Sequence, residues 1–158
     1  MPARHRRRVS VAGLEVQSGM PCVFCDWLAC ADARSRVMAS SKLCVAYLDA
    51  FPLNPGHTLI IPRRHEADLR DLTAEEHAAL FELVPSVMDA ISSRFGQPDG
   101  FNVGLNCGAA AGQTVPHVHL HVIPRLTGDV RYGQDADPRG GVRWVIPQRA
   151  AYWKQLPA

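Results

Sequence analysis

Short apolar runs and one long amphipathic segment alternate along the chain. Residues 43–48 and 57–61 are mostly apolar and flank a turn that contains Pro and Gly, which predicts an antiparallel hairpin. In residues 74–95 the apolar positions recur about every 3.6 residues, as on one face of a helix. Strands are also predicted at 101–106, 115–123 and 142–146. One long helix among several strands favours an α+β fold with an antiparallel sheet of about five strands.

Two local signals refine the long helix. Thr73 and Glu76 have the spacing of a capping box, in which each side chain satisfies a free backbone N–H at the helix start. Pro85 lies inside the segment, and it is predicted to kink the helix because proline cannot donate the backbone hydrogen bond of its turn.

The size and composition of the chain are those of one globular domain. It has 158 residues, of which 47% are hydrophobic and 20% are charged. A domain of this size buries about two-thirds of its unfolded surface, so it needs no disulfides to hold a core. No apolar stretch approaches the roughly 20 residues of a membrane-spanning helix, so the sequence predicts no membrane partner.

Positive charge is concentrated at the N-terminus. Arg4, Arg6, Arg7 and Arg8 lie in the first ten residues without an acidic residue, and the rest of the chain carries about −2. We therefore expect residues 1–20 to form a flexible basic N-terminal tail and residues 21–158 to form a single domain. No aromatic side chain lies among the arginines, so no nucleic-acid partner is expected.

The segment after the arginines is not typical of a secretory signal. The apolar run is too short, and it meets a charge at Glu15. The sequence therefore predicts a cytoplasmic protein.

The five cysteines are an odd number, and in a reducing cytoplasm disulfides are not expected. Cys22 and Cys25 form a C-x-x-C motif. Two thiolates at that spacing supply half of a tetrahedral zinc site, but redox pairs share the same spacing. Cys30, Cys44 and Cys107 are interpreted as small apolar side chains.

The sequence HVHLHVI at 117–123 carries the strongest chemical signal. In a strand, alternate residues share a face, so His117, His119 and His121 would line one face and apolar residues the other. One ion cannot easily bind all three, because His117 and His121 would lie about 13 Å apart along a strand. The alternative is that the imidazole rings act as acids, bases or nucleophiles. A ring nitrogen can attack phosphorus when a hydrogen bond holds the other nitrogen.

A loop of small residues, 108–112, precedes the histidines and lets backbone approach a ligand closely. Gln113 and Thr114 follow it and offer neutral hydrogen-bond donors, which phosphoryl or nucleotidyl transfer requires. Taken alone the loop is a weak indication, because small-residue turns before strands are common. Together with the histidines it favours phosphate chemistry.

Three blocks of sequence resemble those of one family. Residues 112–125 (GQTVPHVHLHVIPR) are similar to the signature of the histidine-triad (HIT) nucleotide hydrolases and transferases. Residues 55–65 (PGHTLIIPRRH) resemble the family's other block, and residues 101–106 (FNVGLN) resemble the strand between the two. The resemblance extends from about residue 22 to residue 125, in the right order and spacing. It implies a HIT-like fold with a short N-terminal helix beside the long one, and a homodimer.

The resemblance also implies roles for the histidines. His119 would attack the α-phosphate and become transiently nucleotidylated, and His121 would contact phosphate and assist the leaving group. His57 would support the triad, although a strand-end histidine with ordinary solvation is the alternative. The implied catalytic set is His57, His117, His119 and His121, and the implied nucleotide-binding set is Asp49 at the ribose hydroxyls, Asn106, Gly112, Gln113 and Thr114 on the phosphate side, His119 and His121.

In zinc-bearing members of the family, two histidines that match His65 and His117 complete the C-x-x-C. The resemblance therefore implies a structural zinc held by Cys22, Cys25, His65 and His117, with a vacant site and reduced thiols as the alternative. Residues 26–42 depart from the family pattern where it contributes to the base pocket, so the base preference stays open.

The predicted function is that of a nucleotide hydrolase or transferase. It would act on the α-phosphate of purine nucleotides such as diadenosine polyphosphates or adenosine phosphoramidates, with water or phosphate as the acceptor. One alternative is a nucleotide-binding regulatory module with little turnover, and another is a hydrolase whose histidines hold a catalytic metal. The pair at 128–129 and the stretch 137–147 resemble a subset of bacterial members. Two roles stay open for them in this chain: covering the site or adding to a dimer surface.

Overall fold

The computed structural model describes residues 8–11, 14–17, 22–130 and 141–145. Its helices are α1 (Val23–Ala29) and α2 (Ala74–Phe95). Its strands are β1 (Arg8–Val11), β2 (Leu14–Gln17), β3 (Val37–Ser40), β4 (Cys44–Leu48), β5 (Thr58–Pro62), β6 (Gly100–Leu105) and β7 (Leu120–Arg125). Short 3-10 segments lie at Ala31–Arg36, Leu69–Asp71, Ala109–Ala111 and Gly141–Val145.

Five of the strands form one antiparallel sheet, in the order β3-β4-β5-β7-β6. This confirms the predicted α+β fold, with one long helix and a short N-terminal helix. None of the described helices is both long enough and apolar enough to cross a bilayer.

The sheet is covered on its two faces by different helices. Successive residues of a strand point to opposite faces, and Ile60 packs in the cluster under α2 while Leu59 and Ile61 pack with α1. More of the buried aliphatic side chains lie on the α2 face, and burial of each stabilises the fold by about 1.5–3 kcal/mol. The main core therefore lies between α2 and the sheet. Its buried residues include Ile60, Leu80, Val87, Ile91, Leu120 and Val122.

The helix α2 has the predicted bounds. Thr73 and Glu76 form the capping box in both directions, and Gly96 with φ +94° follows the last helical residue. The predicted kink at Pro85 does not interrupt the helix, whose exposed Pro85 lies in a continuous run of helical residues.

The strand predicted at 115–123 is wrong over its first half. The residues before Leu120 bend instead, because the N–H of Val118 is donated to the carbonyl of Glu66 (2.7 Å) and that of His117 to Val115 (2.8 Å). Pro116 has no N–H with which to join a ladder. Of the three alternating histidines, only His121 therefore lies within a strand.

One further strand prediction needs correction, and the N-terminal segment contains strands of its own. The segment predicted as a strand at 142–146 is a 3-10 helix over Gly141–Val145, and residue 146 lies outside the described residues. The predicted tail 1–20 contains β1 and β2, which pair as an antiparallel two-stranded sheet. Alternating Val9, Val11, Leu14 and Val16 could have indicated this pair. Residues 1–7, 12–13 and 18–20 lie outside the described residues, and both the flexible basic tail and the domain boundary at residue 20 stay predictions.

Candidate active site

The α1 face of the sheet brings the histidines together. β5 pairs with β7, and Leu59 lies opposite His121. His57 immediately precedes β5, so its ring reaches the ring of His121. His117 and His119 lie on the bent segment that leads into β7, beside α1.

His119 is buried, and one of its ring nitrogens is fixed. Its Nδ1 lies 2.7 Å from the carbonyl oxygen of His117. Because a carbonyl only accepts, Nδ1 carries the hydrogen, and the lone pair of the ring resides on Nε2. Phe24 of α1 contacts the ring edge-on, at a centroid distance of 5.3 Å. The ring therefore offers one unprotonated nitrogen in a defined orientation.

His121 receives its hydrogen bond from His57. The N–H of Leu53 is donated to Nδ1 of His57 (3.3 Å), so that nitrogen is an acceptor and Nε2 carries the hydrogen. Nε2 of His57 then donates to Nδ1 of His121 (3.0 Å), which leaves a hydrogen on Nε2 of His121. The oxygen Oδ2 of Asp49 lies 3.4 Å from Nδ1 of His57, and the N–H of Phe51 binds the other carboxylate oxygen.

The environment favours the neutral rings. Burial, together with the neighbouring His119 and His57, lowers the pKa of His121 to about 4. Burial also lowers the pKa of His57, against the charge of Asp49. At neutral pH, His121 is therefore a neutral hydrogen-bond donor at Nε2.

A second cluster joins Cys22, Cys25, His65 and His117, whose ligand atoms all lie within 4.8 Å of one another. The Sγ of Cys22 lies 3.5 Å from Nδ1 of His117, and the Sγ of Cys25 lies 3.3 Å from Nδ1 of His65 and 3.7 Å from that of His117. With Zn–S of about 2.3 Å and Zn–N of about 2.0 Å, tetrahedral ligands are about 3.5 Å apart. The four residues fit such an ion.

The tautomer of His117 suits a metal ligand. Its Nε2 donates to the carbonyl of Pro62 (2.9 Å), so Nδ1 presents a lone pair to the two sulfurs. Burial lowers the pKa of this ring to about 4 and, with Cys22, raises the pKa of Cys25 to about 12. Thiolates here need a cation beside them, and a bound metal ion would supply that charge.

The predicted phosphate-side residues surround the loop before the histidines. Leu105 pairs with Leu120, so Asn106 follows β6 on the side of His119. Gly112 has φ +89°, and a Cβ there would lie 3.8 Å from Nδ2 of Asn106. Thr114 is exposed.

The side chain of Gln113 braces this loop. Its Oε1 accepts from the N–H of Gly108 (2.7 Å), and its Nε2 donates to the carbonyls of Ala67 (2.8 Å) and Val115 (3.2 Å). These contacts hold the loop against the segment after His65.

An aromatic cluster beside the histidines was not predicted. Phe24 contacts His117 as well as His119, and Trp27 stacks on Tyr47 with ring centroids 4.0 Å apart. Among the described residues, the buried Nε1 of Trp27 and hydroxyl of Tyr47 have no hydrogen-bond partner. The only sequence signal was an aromatic residue inside the C-x-x-C.

An antiparallel sheet with alternating histidines entering an inner strand is the arrangement of the histidine-triad class. A model of the HIT domain matches residues 31–128, which is more than half of the chain. The chain belongs to the HIT domain family.

Curated relatives include enzymes of nucleotide metabolism. The chain is 36% identical to the asymmetrical bis(5'-nucleosyl)-tetraphosphatase of Schizosaccharomyces pombe, over 72% of this chain and 76% of that protein. It is 40% identical to AP-4-A phosphorylase of Mycobacterium tuberculosis, over 64% of this chain. It spans only 52% of that mycobacterial protein's length.

A solved structure extends the similarity to most of the fold. A Zn-bound histidine triad family protein from Mycobacterium smegmatis superposes with a TM-score of 0.62 at 33% sequence identity. The match covers 85% of this chain and 97% of that one.

Proposed function

We propose that this protein is a nucleotide hydrolase or transferase that acts on the α-phosphate of diadenosine polyphosphates or adenosine phosphoramidates. The reaction passes through a nucleotidyl group on His119. The observation that carries the proposal is the hydrogen bond from Nδ1 of His119 to the carbonyl of His117, because it leaves Nε2 as the nucleophile.

In the first step, Nε2 of His119 forms a bond to the α-phosphorus while the bond from phosphorus to the leaving group breaks. The leaving oxygen of a diadenosine polyphosphate takes that electron pair and accepts a hydrogen bond from Nε2–H of His121. The leaving nitrogen of a phosphoramidate takes the electron pair and gains a proton, which Nε2–H of His121 donates and solvent restores. The nucleotidylated ring is a cation that retains its Nδ1 hydrogen. The carbonyl of His117, 2.7 Å away, stabilises this cation.

In the second step, the acceptor attacks the same phosphorus. Water forms the new P–O bond, the P–N bond breaks with its electron pair returning to Nε2 of His119, and a water proton is released to solvent. Phosphate in place of water gives phosphorolysis by the same path. The two relatives named for hydrolysis and for phosphorolysis support both acceptors.

Substrate binding follows the sequence-derived assignment. Asp49 takes the ribose hydroxyls, and Asn106, Gly112 and Thr114 bind phosphate oxygens. Gln113 acts here through the loop it braces. His57 positions His121, and His117 contributes its carbonyl to His119 and its Nδ1 to the metal cluster.

We assign the cluster of Cys22, Cys25, His65 and His117 to a structural zinc ion. The spacing of the ligand atoms and the Zn-bound relative support this assignment. The ion supplies charge for the thiolates and ties α1 to the segment that carries His119. We also propose a cytoplasmic location, in which thiols stay reduced.

The remaining proposals concern partners. A purine nucleotide is the substrate, and no nucleic-acid partner is proposed. Two copies of the chain pair as a homodimer that joins their sheets. Support for the pairing comes from the position of β6, which is the last strand on one side of the sheet.

The test is trapping of the intermediate. Diadenosine tetraphosphate labelled at the α-phosphorus is mixed with the protein and quenched in alkali, and the protein is assayed for acid-labile label. We expect label on the wild type and on His77→Asn, whose ring binds the carbonyl of Leu69 (2.6 Å) away from the histidine cluster, and none on His119→Asn. Absence of label on the wild type, or label on His119→Asn, contradicts the mechanism. Tight AMP binding without label would favour a regulatory module instead.

A further inference from the structure

The turn that follows β7 holds a cluster of polar side chains around Asp129. Its Oδ2 accepts hydrogen bonds from Nδ2 of Asn54 (2.7 Å), Nε of Arg125 (2.8 Å) and the N–H of Leu126 (3.0 Å). Its Oδ1 accepts from Nη2 of Arg125 (2.6 Å). These bonds, led by those of Arg125, hold the pKa of Asp129 well below its usual range. The carboxylate is therefore charged, and both of its oxygens accept hydrogen bonds.

Asn54 connects this cluster to the loop 49–57. Besides its bond to Asp129, its Nδ2 donates to the carbonyl of Pro124 (2.9 Å), at the end of β7. Its own carbonyl accepts the N–H of His57 (3.0 Å). The neighbouring Leu53 donates its N–H to Nδ1 of His57. The side-chain amide of Asn54 thus fixes the backbone of Leu53 and Asn54, which binds the ring and the main chain of His57.

Packing does not hold the tip of this loop. Phe51 and Leu53 are 86% and 72% exposed, so their apolar side chains contribute little to anchoring it. At its base, the N–H of Asp49 binds the carbonyl of His57 (2.9 Å), which closes the loop on itself without fixing it to β7. The two bonds from Asn54 make the connection from the tip to the strand that carries His121.

We propose that Asn54, Arg125 and Asp129 form a positioning network that holds Nε2 of His57 against Nδ1 of His121. The expected effect on turnover rests on the proposed function, whereas the contact between the rings of His57 and His121 does not. This network also gives a role to the Gly128-Asp129 pair that follows the histidine signature. Gly128, with φ +82°, makes the turn that returns the carboxylate to Arg125.

The kinetic test uses Asn54→Ala and Asp129→Ala, with Asp129→Asn as a milder variant should Asp129→Ala fail to fold. We expect kcat for diadenosine tetraphosphate to fall roughly 10- to 100-fold, with KM changed less than about threefold, because a misplaced His121 affects the transition state most. The matched control is Asp99→Ala. Asp99 accepts the N–H of Thr127 in the same turn (2.7 Å), and within the part of the chain that the structure describes it shares no hydrogen bond with Asn54. It should retain wild-type kcat.

Two comparisons separate positioning from a general loss of stability. In a His57→Asn background, Asn54→Ala should lower kcat no further, because the group it positions is already gone. In ¹⁵N spectra of the histidine rings, the wild type should show His57 protonated at Nε2 and His121 at its own Nε2. Asn54→Ala should lose this fixed pair of tautomers while Asp99→Ala retains it. Additive loss of kcat, or unchanged ring spectra in Asn54→Ala, would overturn the positioning network. A wild type with the expected ring spectra but no turnover would instead contradict the proposed function alone.

Discussion

At the scale of single residues, each histidine of the triad has its hydrogen placed by a different acceptor or donor. His117 donates to Pro62, His119 donates to His117, and His121 accepts from His57. In the proposed mechanism, these three identical side chains at alternate positions serve as a metal ligand, a nucleophile and a hydrogen-bond donor. The sequence predicted which histidines take part and that one of them differs in role from the other two. It could not predict their hydrogen-bond partners, because these lie up to 64 positions away in the chain and no local pattern specifies them.

The buried neutral ring of His121 predicts a pH dependence of stability. Its pKa is about 4 in the folded protein against an ordinary value of 6.5, with Asp49, His57 and His119 facing it. Between those values the unfolded chain binds a proton that the folded chain does not. The stability that this neutral ring contributes is present above pH 6.5 and is lost as the pH falls toward 4.

We therefore expect His121→Asn to lose less unfolding free energy than the wild type between pH 6.5 and 4.5, by on the order of 1–2 kcal/mol. Urea denaturation across this range measures the difference. His77→Asn, outside the cluster, serves as the control and should follow the wild type. Parallel curves for the wild type and His121→Asn would show that the ring gains its proton as easily in the folded chain.

At the scale of elements, local signals were sufficient where an element depends on its own residues. The capping box and Gly96 define both ends of α2, and the predicted bounds are confirmed. The start of β7 was predicted wrongly because Val118 donates to Glu66, a distant loop carbonyl. The short β3 was missed because the run Val37–Ser40 is brief and follows a 3-10 segment, so its pairing with β4 defines it.

The loop before β5 depends on a close approach between Gly56 and α2. Gly56 has φ +94°, and a Cβ there would lie 2.9 Å from Cγ2 of Ile91 and 3.1 Å from Cδ2 of Phe95. Gly96 has the same φ, but a Cβ there would have nothing within 4 Å. Substitution of Gly96 therefore tests backbone strain without steric overlap, whereas substitution of Gly56 adds steric overlap with α2.

We expect Gly96→Ala to cost roughly 1–3 kcal/mol of unfolding free energy, which is the cost of placing alanine in a backbone conformation essentially restricted to glycine. Gly56→Ala should cost roughly 1–3 kcal/mol more, because the added methyl group overpacks the helix. Urea denaturation of both variants measures the two values. Equal costs at the two positions would mean that the contact with Ile91 relaxes freely.

At the scale of the whole molecule, the cysteine and histidine cluster connects three distant parts of the chain. Cys22 and Cys25 belong to α1 and its start, His65 follows β5, and His117 precedes β7. The C-x-x-C alone left zinc and redox chemistry open in the sequence. The family resemblance supplied the two histidines, and the fold brings them to the sulfurs.

Removal of the metal should therefore lower the stability of the fold around the histidines, although the metal does not bind His119 or His121. We expect one zinc per wild-type chain by elemental analysis, and a fall in Tm of more than about 5 °C after chelation. Cys25→Ser should lose the zinc and show no further response to chelator. Cys30→Ser removes an exposed thiol near the same helix and should keep both metal and Tm. A Tm that chelation leaves unchanged, or a full zinc content in Cys25→Ser, would contradict the assignment.

The central claim is that His119 takes the nucleotide before water or phosphate does. Two successive in-line displacements at the α-phosphorus retain its configuration, whereas a single displacement by water inverts it. The most direct measurement uses a substrate with a chiral α-phosphorothioate, turned over in ¹⁸O-labelled water, with the product configuration read by ³¹P NMR. The account predicts net retention. Net inversion would mean that water attacks the substrate directly and that His119 forms no bond to phosphorus.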